Sequence, residues 1–328
     1  MTTFCFFVNK IGQRKHFENN STGATGHIGS YLIRDLGLQF KESEIVMIDN
    51  MMTQRFASLF KLPKVGNYSF VEGDVRLMNL NSLLKDSDIV IHLAAITDAA
   101  GSFDKATEIE ENNYQSTLKV ANACMKTGAS LIALSSTSVY GTQNDIVDED
   151  CSLNELQPQS PYASTKLKEE KLISNLSNDK GLKAIHCRFG TIFGASPGMR
   201  FHTAVNKFCW QAVMGQPITV WSTAYDQKRP YLDLLDASRA IIHIIENDIF
   251  DGRIYNVLTQ NSTVRQVIDI IREFVPSLEI EFVDTKIMNQ LSYEVLCERF
   301  KSKGFVFSGD LKRGIKETIS LLKNANKY

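Results

Sequence analysis

The sequence contains no Cys-x-x-Cys pair, and its six cysteines stand far apart along 328 residues. A chain of this length can bury a sufficient core without disulfide bonds, so reduced thiols and a cytoplasmic location are expected. The six histidines are equally dispersed and show no ligand spacing, which predicts that there is no metal site. Low-complexity segments and internal repeats are also absent from the sequence.

The sequence also lacks a surplus of either charge and a long apolar run. Its 36 Lys and Arg residues and 37 Asp and Glu residues leave a net charge of −1, so electrostatics give no reason to expect a nucleic acid partner. No stretch approaches the roughly eighteen consecutive apolar residues of a membrane-spanning helix, and no membrane partner is expected. The apolar opening, residues 3–8, is too short for the core of a signal peptide.

The segment 131–166 is the most informative about chemistry. Residues 131–134 form an apolar run typical of a buried parallel strand, and the hydroxyl-rich stretch 135–141 follows where that strand would end. In open α/β sheets, ligands bind at that end of the strands. Pro161 can begin a helix on which Tyr162 and Lys166, four residues apart, share one face.

Tyr162, Lys166 and Ser136 form a candidate catalytic set. An ammonium group about 4 Å from the phenol would favour the phenolate, and could lower the tyrosine pKa by up to about three units, toward the range of an acid/base catalyst. Ser136 could hydrogen-bond the reacting oxygen. A Tyr-x-x-x-Lys spacing also occurs by chance on many helices, so its weight comes from the motifs that precede it.

A glycine motif at 22–30 indicates a dinucleotide-binding turn, because its spacing is Gly-x-x-Gly-x-x-Gly and it leads into a helix-like apolar stripe. Small residues there let the backbone approach a pyrophosphate, whose charge the helix N-terminus favours. A strand at 45–48 ends at Asp49, 20 residues after Gly29. A carboxylate there should accept hydrogen bonds from ribose hydroxyls and repel a 2′-phosphate, which predicts NAD rather than NADP.

The first strand does not follow the usual pattern. In a dinucleotide fold the glycine turn directly follows strand one, whereas here the polar stretch 9–22 separates the apolar run 3–8 from Gly23. Either residues 3–8 form the strand with an unusual loop, or the N-terminus is atypical and strand one is damaged. The second possibility would weaken cofactor binding.

Beyond Asp49, strand-like and helix-like segments alternate, which predicts an α/β fold with a doubly wound parallel sheet. After residue 190 the alternation loosens, and the tail 262–328 indicates a smaller lobe of helices with one strand. Arg229 could clamp a phosphate because its planar guanidinium suits that oxyanion, although a surface arginine fits the sequence equally well. Further strands and helices are predicted at 68–75, 88–95, 108–127, 182–189, 203–214 and 236–247.

Taken together, these motifs resemble the extended short-chain dehydrogenase/reductases, specifically the NAD-dependent nucleotide-sugar epimerase/dehydratase family. The resemblance implies a Rossmann-like NAD-binding domain at 1–187, to which 228–258 returns. It also implies a smaller C-terminal α/β lobe, 188–227 and 259–328, that binds a nucleotide-diphosphate sugar, and a homodimer. The segments that carry the resemblance are 22–29, 92–95, 135–141 and 160–166.

The resemblance implies a role for each matching position. Tyr162 would be the acid/base, Ser136 would hold the reacting oxygen, and Lys166 would also hold the nicotinamide ribose. The substrate contacts would be Thr137, Thr191 and Arg229. The cofactor contacts would be Gly23, Gly26, His27, Ile28, Gly29, Asp49, Asp74, Val75, Leu93, Ala94, Ala95, Asn113, Tyr162 and Lys166.

One departure from the family narrows the reaction. The 4,6-dehydratases of the family have an Asp-Glu pair after the catalytic threonine, where this chain has Thr137 and Ser138, which supply no carboxylate for elimination. The expected activity is therefore an NAD-dependent nucleotide-sugar epimerase that acts at C4 through a transient keto sugar, in sugar-precursor biosynthesis. The alternatives are an NAD(P)-dependent keto-sugar reductase or dehydrogenase, and a non-catalytic binding protein with an impaired cofactor site.

Overall fold

The computed structural model describes residues 4–5, 20–85, 87–97, 103, 105–141, 146–284 and 293–325. In these ranges no helix is both long enough and apolar enough to cross a membrane. The strands are β1 Phe4–Cys5, β2 Asn20–Thr22, β3 Glu44–Asp49, β4 Asn67–Glu72, β5 Ile89–His92, β6 Ser130–Ser136, β7 Ile146–Val147, β8 Ala184–Phe189, β9 Thr191–Phe193, β10 Ile218–Trp221, β11 Lys228–Asp233, β12 Ile254–Val257, β13 Gln260–Thr263, β14 Ile280–Val283 and β15 Glu294–Val295. The α-helices are α1 His27–Gln39, α2 Leu80–Leu83, α3 Ala106–Thr127, α4 Pro161–Lys180, α5 Ala204–Val213, α6 Leu234–Glu246, α7 Val264–Phe274, α8 Glu298–Lys301 and α9 Leu311–Leu322.

Within the described ranges, the largest sheet has eight strands. Its parallel strands follow the order β4-β3-β2-β5-β6-β8-β12, and β1 pairs antiparallel with the end of β3. This is the order of a doubly wound sheet, in which the direction of winding reverses between β2 and β5. The predicted Rossmann-like α/β fold is therefore confirmed.

The central strands are covered on both faces, which explains their continuous apolar runs. In β6, Leu131 and Ala133 pack in one core with residues of α3 and α4, whereas Ile132 packs in the core on the opposite face with residues of α1 and α6. A parallel strand needs helices on both sides because its apolar side chains alternate between the two faces.

The position of strand one, between β3 and β5, is occupied by β2, which is only three residues long. The glycine turn follows it at once, and the Gly23 N–H donates to the carbonyl oxygen of Ile48 in β3. Residues 4–5 pair antiparallel with the end of β3 instead. The idea that residues 3–8 supply the central strand is therefore wrong, and residues 6–19 lie outside the described ranges.

A smaller lobe is built on the carboxyl side of the sheet. Its strands form the three-stranded sheet β13-β11-β9 and the parallel pair β10-β14, and α5, α7 and α9 pack around a separate apolar core. Within the predicted returning segment 228–258, α6 and β12 pack on or join the main sheet. β11, in contrast, belongs to the three-stranded sheet of the smaller lobe. The two lobes face each other across the point where the main sheet reverses its winding.

Candidate active site

A cleft of about 400 Å³ lies at this point. It is bounded by the turn after β2, the loop after β5, the end of β6, helix α4 and the loop after β9. Open α/β sheets bind their ligands at this place, outside the carboxyl ends of the strands. The predicted site residues that line the cleft are Gly23, Gly26, His27, Ile28, Gly29, Leu93, Ala95, Ser136, Tyr162, Lys166 and Thr191.

The glycine turn has the geometry of an anion-binding loop. Gly23 adopts a φ of 89°, which favours glycine, and a Cβ atom on Gly29 would overlap the carbonyl oxygen of Gly23. Gly26 is the N-cap of α1 and has no side chain that could satisfy the first backbone N–H groups of the helix. The turn therefore fits a pyrophosphate held by backbone N–H groups.

Gly29→Ala should weaken NAD binding by at least about tenfold, because the new methyl group forces the Gly23 carbonyl and the turn to move. The measurement is the NAD dissociation constant by isothermal titration calorimetry. Gly128→Ala is the control for backbone strain away from the cleft: Gly128 ends α3 with a φ of 83°, so an alanine there should lower stability, but its Cβ atom would meet open space and NAD affinity should not change. Equal affinity for NAD in the parent and Gly29→Ala would contradict the assignment of this turn.

Asp49 holds the glycine turn by hydrogen bonds to Thr25 and does not line the cleft. It is fully buried. Its Oδ2 accepts from the Thr25 N–H at 3.2 Å and from the Thr25 hydroxyl, and its Oδ1 accepts from the Met51 N–H at 2.8 Å. Burial raises the pKa of Asp49, although these bonds oppose the increase. The carboxylate predicted to hold ribose hydroxyls thus already has protein partners for both oxygens.

The other two predicted adenosine contacts also lie outside the cleft lining. Asp74 makes a bidentate pair with Arg76, whose Nε and terminal nitrogen lie 3.0 Å and 2.6 Å from the two carboxylate oxygens. Burial alone would raise the pKa of Asp74, but the Arg76 pair lowers it below its usual value. Val75 is fully buried in the core.

Four further predicted residues lie outside the lining of the cleft. Asn113 exchanges two hydrogen bonds, of 2.8 Å and 3.1 Å, with the backbone of Ile96 and so braces the loop after β5, in which Ala94 is buried. The Thr137 hydroxyl donates to a backbone carbonyl of β8 at 3.4 Å. Arg229 donates to a neighbouring glutamine side chain at 3.1 Å. The structure thus does not bring the predicted diphosphate contact, Arg229, into the lining of this cleft.

Tyr162 and Lys166 reach the cleft because α4 begins where the sequence predicts. Pro161 is its first residue, and the Ser160 hydroxyl accepts from the backbone N–H of Ala163 at 3.2 Å as the N-cap. The Lys166 Nζ atom lies 6.0 Å from the centre of the Tyr162 ring. These two side chains therefore face the same part of the cleft, as their spacing predicted.

Ser136 lies at the junction of β6 and the 3-10 helix Thr137–Tyr140, which it caps. Its hydroxyl oxygen accepts from the backbone N–H of Ser138 at 3.2 Å and from the Ser138 hydroxyl at 2.9 Å. Both serines line the cleft. A pair of hydroxyls at the strand end can hold an oxygen atom of a ligand opposite Tyr162.

The sequence predicted a lowered pKa for Tyr162, and the direction of that predicted shift is wrong. Burial of the phenol raises the pKa of Tyr162 above its ordinary value. Lys166 and Arg200 pull this pKa down, but the Glu169 carboxylate pushes it up. The ammonium of Lys166 lowers this pKa as the spacing predicts, but desolvation of the phenol and the Glu169 carboxylate, which only the fold brings into place, outweigh it.

His27 joins the glycine turn to the smaller lobe. Burial lowers the pKa of its imidazole to about 4, so the ring is neutral at neutral pH and its Nε2–H can donate to the Gly194 carbonyl oxygen, 2.8 Å away. In the same loop, the backbone of Gly198 packs so closely on the turn that a Cβ atom there would overlap the Thr25 carbonyl oxygen. Arg55 donates to the Gly198 carbonyl at 3.0 Å.

Several cleft residues carried no readable signal in the sequence. Arg200, whose guanidinium donates to the Thr97 hydroxyl, and Trp221 come from segments that are distant from the motifs along the chain. Only the neighbours of Thr191 and Ser136 could have been inferred from adjacency. The cleft residues not predicted are Arg55, Thr97, Leu134, Ser135, Ser138, Phe189, Gly190, Ile192, Arg200, His202, Thr203 and Trp221.

Comparison with curated proteins gives two informative relatives. A trifunctional UDP-glucose 4,6-dehydratase/UDP-4-keto-6-deoxy-D-glucose 3,5-epimerase/UDP-4-keto-L-rhamnose-reductase of Arabidopsis thaliana is 28% identical over 317 residues, which cover 91% of this chain and 46% of that protein. The chain thus spans about half the length of this relative. A dTDP-D-glucose 4,6-dehydratase of Mus musculus is 27% identical over 314 residues, covering 91% of this chain and 86% of that protein.

The fold and the family agree with these relatives. The structure of a UDP-glucuronic acid 4-epimerase from Bacillus cereus, in complex with UDP-glucuronic acid and NAD, superposes with a TM-score of 0.81 at 24% identity, covering 92% of this chain and 98% of that chain. The family described as "NAD dependent epimerase/dehydratase family" matches residues 22–257, as the motifs predicted. Because that match covers more than half of the sequence, this chain belongs to the NAD dependent epimerase/dehydratase family.

Proposed function

We propose that this protein is an NAD-dependent nucleotide-sugar 4-epimerase. The observation that carries the proposal is the meeting of Tyr162, Lys166 and Ser136 in one cleft beside an anion-binding glycine turn. An acid/base residue next to a dinucleotide site can oxidise an alcohol to a carbonyl and reduce the carbonyl again. The related 4-epimerase structure, in complex with a nucleotide sugar and NAD, supports the same assignment.

The residues of the cleft fit NAD. The backbone of the glycine turn would hold the pyrophosphate, and Lys166 would hold the nicotinamide ribose with the N–H that it directs to the cleft. When bound, NAD takes up and returns the hydrogen and electron pair of a sugar carbon. The Asp49 carboxylate accepts hydrogen bonds from Thr25. The adenosine ribose would therefore have to share this carboxylate with Thr25 or displace those hydrogen bonds.

Side chains of the cleft would supply proton transfer, a hydrogen bond to the reacting oxygen, and substrate binding. As the phenolate, Tyr162 would take the proton from the C4 hydroxyl, and the phenol so formed would return it after the sugar has presented its other face. Because burial raises the pKa of Tyr162, turnover should increase with pH as the phenolate forms. Ser136 would hold the C4 oxygen throughout. The predicted substrate lobe, 188–227 with 259–328, supplies Arg200 and Trp221 to the opposite wall, and this wall would fix the diphosphate and base so that the keto sugar stays bound.

An epimerase is favoured over a dehydratase by what the cleft offers. Elimination of water needs an acid and a base beside the sugar, and the described residues that line the cleft include no aspartate or glutamate. At the positions that follow Ser136, Thr137 bonds to the backbone of β8 and Ser138 bonds to Ser136. The homodimer implied by the family resemblance remains a prediction.

The proposal is tested by incubating the NAD-loaded protein with UDP-glucose, UDP-galactose, UDP-N-acetylglucosamine, UDP-glucuronic acid and dTDP-glucose. The products are read by proton NMR while the absorbance of reduced nicotinamide is followed. The proposal predicts a 4-epimer of one of these sugars without net formation of NADH. Net formation or consumption of NADH would instead indicate a dehydrogenase or reductase, and a 4-keto-6-deoxy product would indicate a dehydratase. Absence of both NAD binding and turnover would indicate a binding protein.

A further inference from the structure

The ammonium group of Lys166 has a carboxylate partner inside the protein. Its Nζ atom lies 2.9 Å from Oε2 of Glu169, one helical turn further along α4, and the two side chains are only 5% and 4% exposed. Nζ also donates to the carbonyl oxygen of Leu134 at 3.0 Å. An ammonium has three N–H donors, so one remains for a ligand in the cleft that Lys166 lines.

Glu169 depends on Lys166 in return. Its Oε1 atom is buried and has no hydrogen bond of ordinary geometry among the described residues. Burial raises the pKa of Glu169, and Lys166 and the nearby Thr117 hydroxyl oppose that increase. The same hydroxyl can accept from His92, whose Nε2 atom lies 3.0 Å away. A buried carboxylate with so few donors is held in place mainly by its ion pair, so Glu169 and Lys166 constrain each other.

We propose that Glu169 is a positioning residue for the Tyr162–Lys166 pair: its carboxylate, 2.9 Å from the Lys166 ammonium, fixes that ammonium beside the Tyr162 ring and offsets its charge. Removal of the carboxylate charge should therefore favour the phenolate form of Tyr162. The geometry carries this inference, since the ammonium is in direct contact with Glu169. Burial alone would lower the pKa of Lys166, and Glu169 and Tyr162 outweigh that effect. The catalytic consequence, though not the ionisation itself, rests on the function proposed above.

The other charged groups near Lys166 do not take over this role. Glu170 is occupied by a bidentate pair with Arg188 of β8. His186 of β8 lies near Lys166 and Glu170, and burial lowers its pKa to about 4, so its imidazole is neutral at neutral pH. Arg200, from the loop after β9, acts in the same direction as Lys166 on the pKa of Tyr162. On the side of α3 and β5, the facing groups are Thr117 and His92.

Glu169→Gln tests the inference, because it removes the charge and keeps the shape. Tyr162 is titrated by ¹³C NMR of protein labelled at the tyrosine ring carbon that carries the hydroxyl, and its signal is assigned by its loss in Tyr162→Phe. The ionisation midpoint of Tyr162 should fall by about one to two pH units in Glu169→Gln. Glu169→Asp, which restores a carboxylate, should bring the midpoint back toward the parent value.

Glu110→Gln is the control. Glu110 is an α3 carboxylate that pairs with Lys168 of α4 at the surface, with side chains 49% and 52% exposed, so solvent screens its charge and the midpoint should not move. An unchanged midpoint in folded Glu169→Gln would overturn the inference. If that variant does not fold, Lys166→Gln and the double variant Lys166→Gln/Glu169→Gln replace it. The double variant must then have the lower midpoint, and equal midpoints would overturn the inference.

The titration needs neither NAD nor a sugar, so the two proposals fail separately. A shifted midpoint in a protein that turns over no nucleotide sugar would leave the Glu169 inference standing and count against the epimerase. In an active protein, the rise of kcat/KM with pH, which follows ionisation of Tyr162, should move to lower pH by the same amount in Glu169→Gln. Turnover without any such movement would count against Glu169 alone.

Discussion

Tyr162→Phe should lower kcat for nucleotide-sugar turnover by about 10²–10⁴-fold, while the dissociation constants for NAD and the nucleotide sugar change little. Loss of a positioned acid/base group has this magnitude. The ring remains and keeps its packing on α4, so only the proton-transferring hydroxyl is removed from the cleft. The measurements are steady-state turnover and binding of NAD by calorimetry.

Tyr225→Phe is the matched control for this substitution. Tyr225 lies in the smaller lobe, with its ring edge-on to Phe282, and does not line the cleft. Its substitution should leave turnover within about twofold of the parent, because it touches none of the groups assigned to proton transfer. Turnover in Tyr162→Phe that matches this control would remove Tyr162 from the mechanism.

Glu170→Gln should lower the free energy of unfolding by about 3–5 kcal/mol, because it leaves a buried guanidinium without its counter-charge. Glu170 accepts from two nitrogens of Arg188 at 2.9 Å and 2.7 Å, and both side chains are only 2% exposed. The Ser135 hydroxyl also donates to the carboxylate. The third side-chain nitrogen of Arg188 has no hydrogen-bond partner in the described structure, and the Tyr140 ring, 4.8 Å away, cannot replace the lost charge.

Urea denaturation followed by circular dichroism measures this effect. Glu110→Gln again supplies the comparison, since loss of its exposed ion pair with Lys168 should cost no more than about 1 kcal/mol. Similar losses in the two variants would mean that the Arg188–Glu170 pair is not needed to hold β8 against α4.

The parts of the site that local rules determine could be predicted from the sequence. The apolar run of β6 followed by hydroxyls, the start of α4 at Pro161 and the spacing of the glycine turn each depend on a few neighbouring residues. These three features place Ser136, Tyr162, Lys166 and the turn, and the doubly wound order of the sheet then brings them together.

Strand one shows where local rules fail. Residues 20–22 are polar and begin with an asparagine, a residue depleted in strands, yet they form the central strand because β3 and β5 offer hydrogen-bonding edges on both sides. Tertiary pairing outweighs intrinsic preference in such a position. A single sequence gives no measure of how strongly the two neighbouring strands require a partner.

The environment of Tyr162 and Lys166 could not be predicted from the sequence either. Lys166 and Glu169 stand three residues apart, a spacing that places them on one helix face, but a run of charged residues in a helix is usually solvated. Only the packing of α4 against the main sheet and α3 shows that this pair is buried. Likewise, the tertiary fold brings the loop around Gly198 against the glycine turn. No sequence motif indicates that contact.

The proposed epimerase oxidises a sugar carbon and reduces it again within one cleft. Its most direct test uses the nucleotide sugars of the panel with deuterium at C4, incubated with the NAD-loaded protein, and measures deuterium at C4 of the epimer by NMR and mass spectrometry. The expected product is a 4-epimer that retains the C4 deuterium, because hydrogen leaves and returns to the same carbon without exchange with water. An epimer that has lost the C4 deuterium to solvent, or no 4-epimer from any of these sugars, would contradict this mechanism.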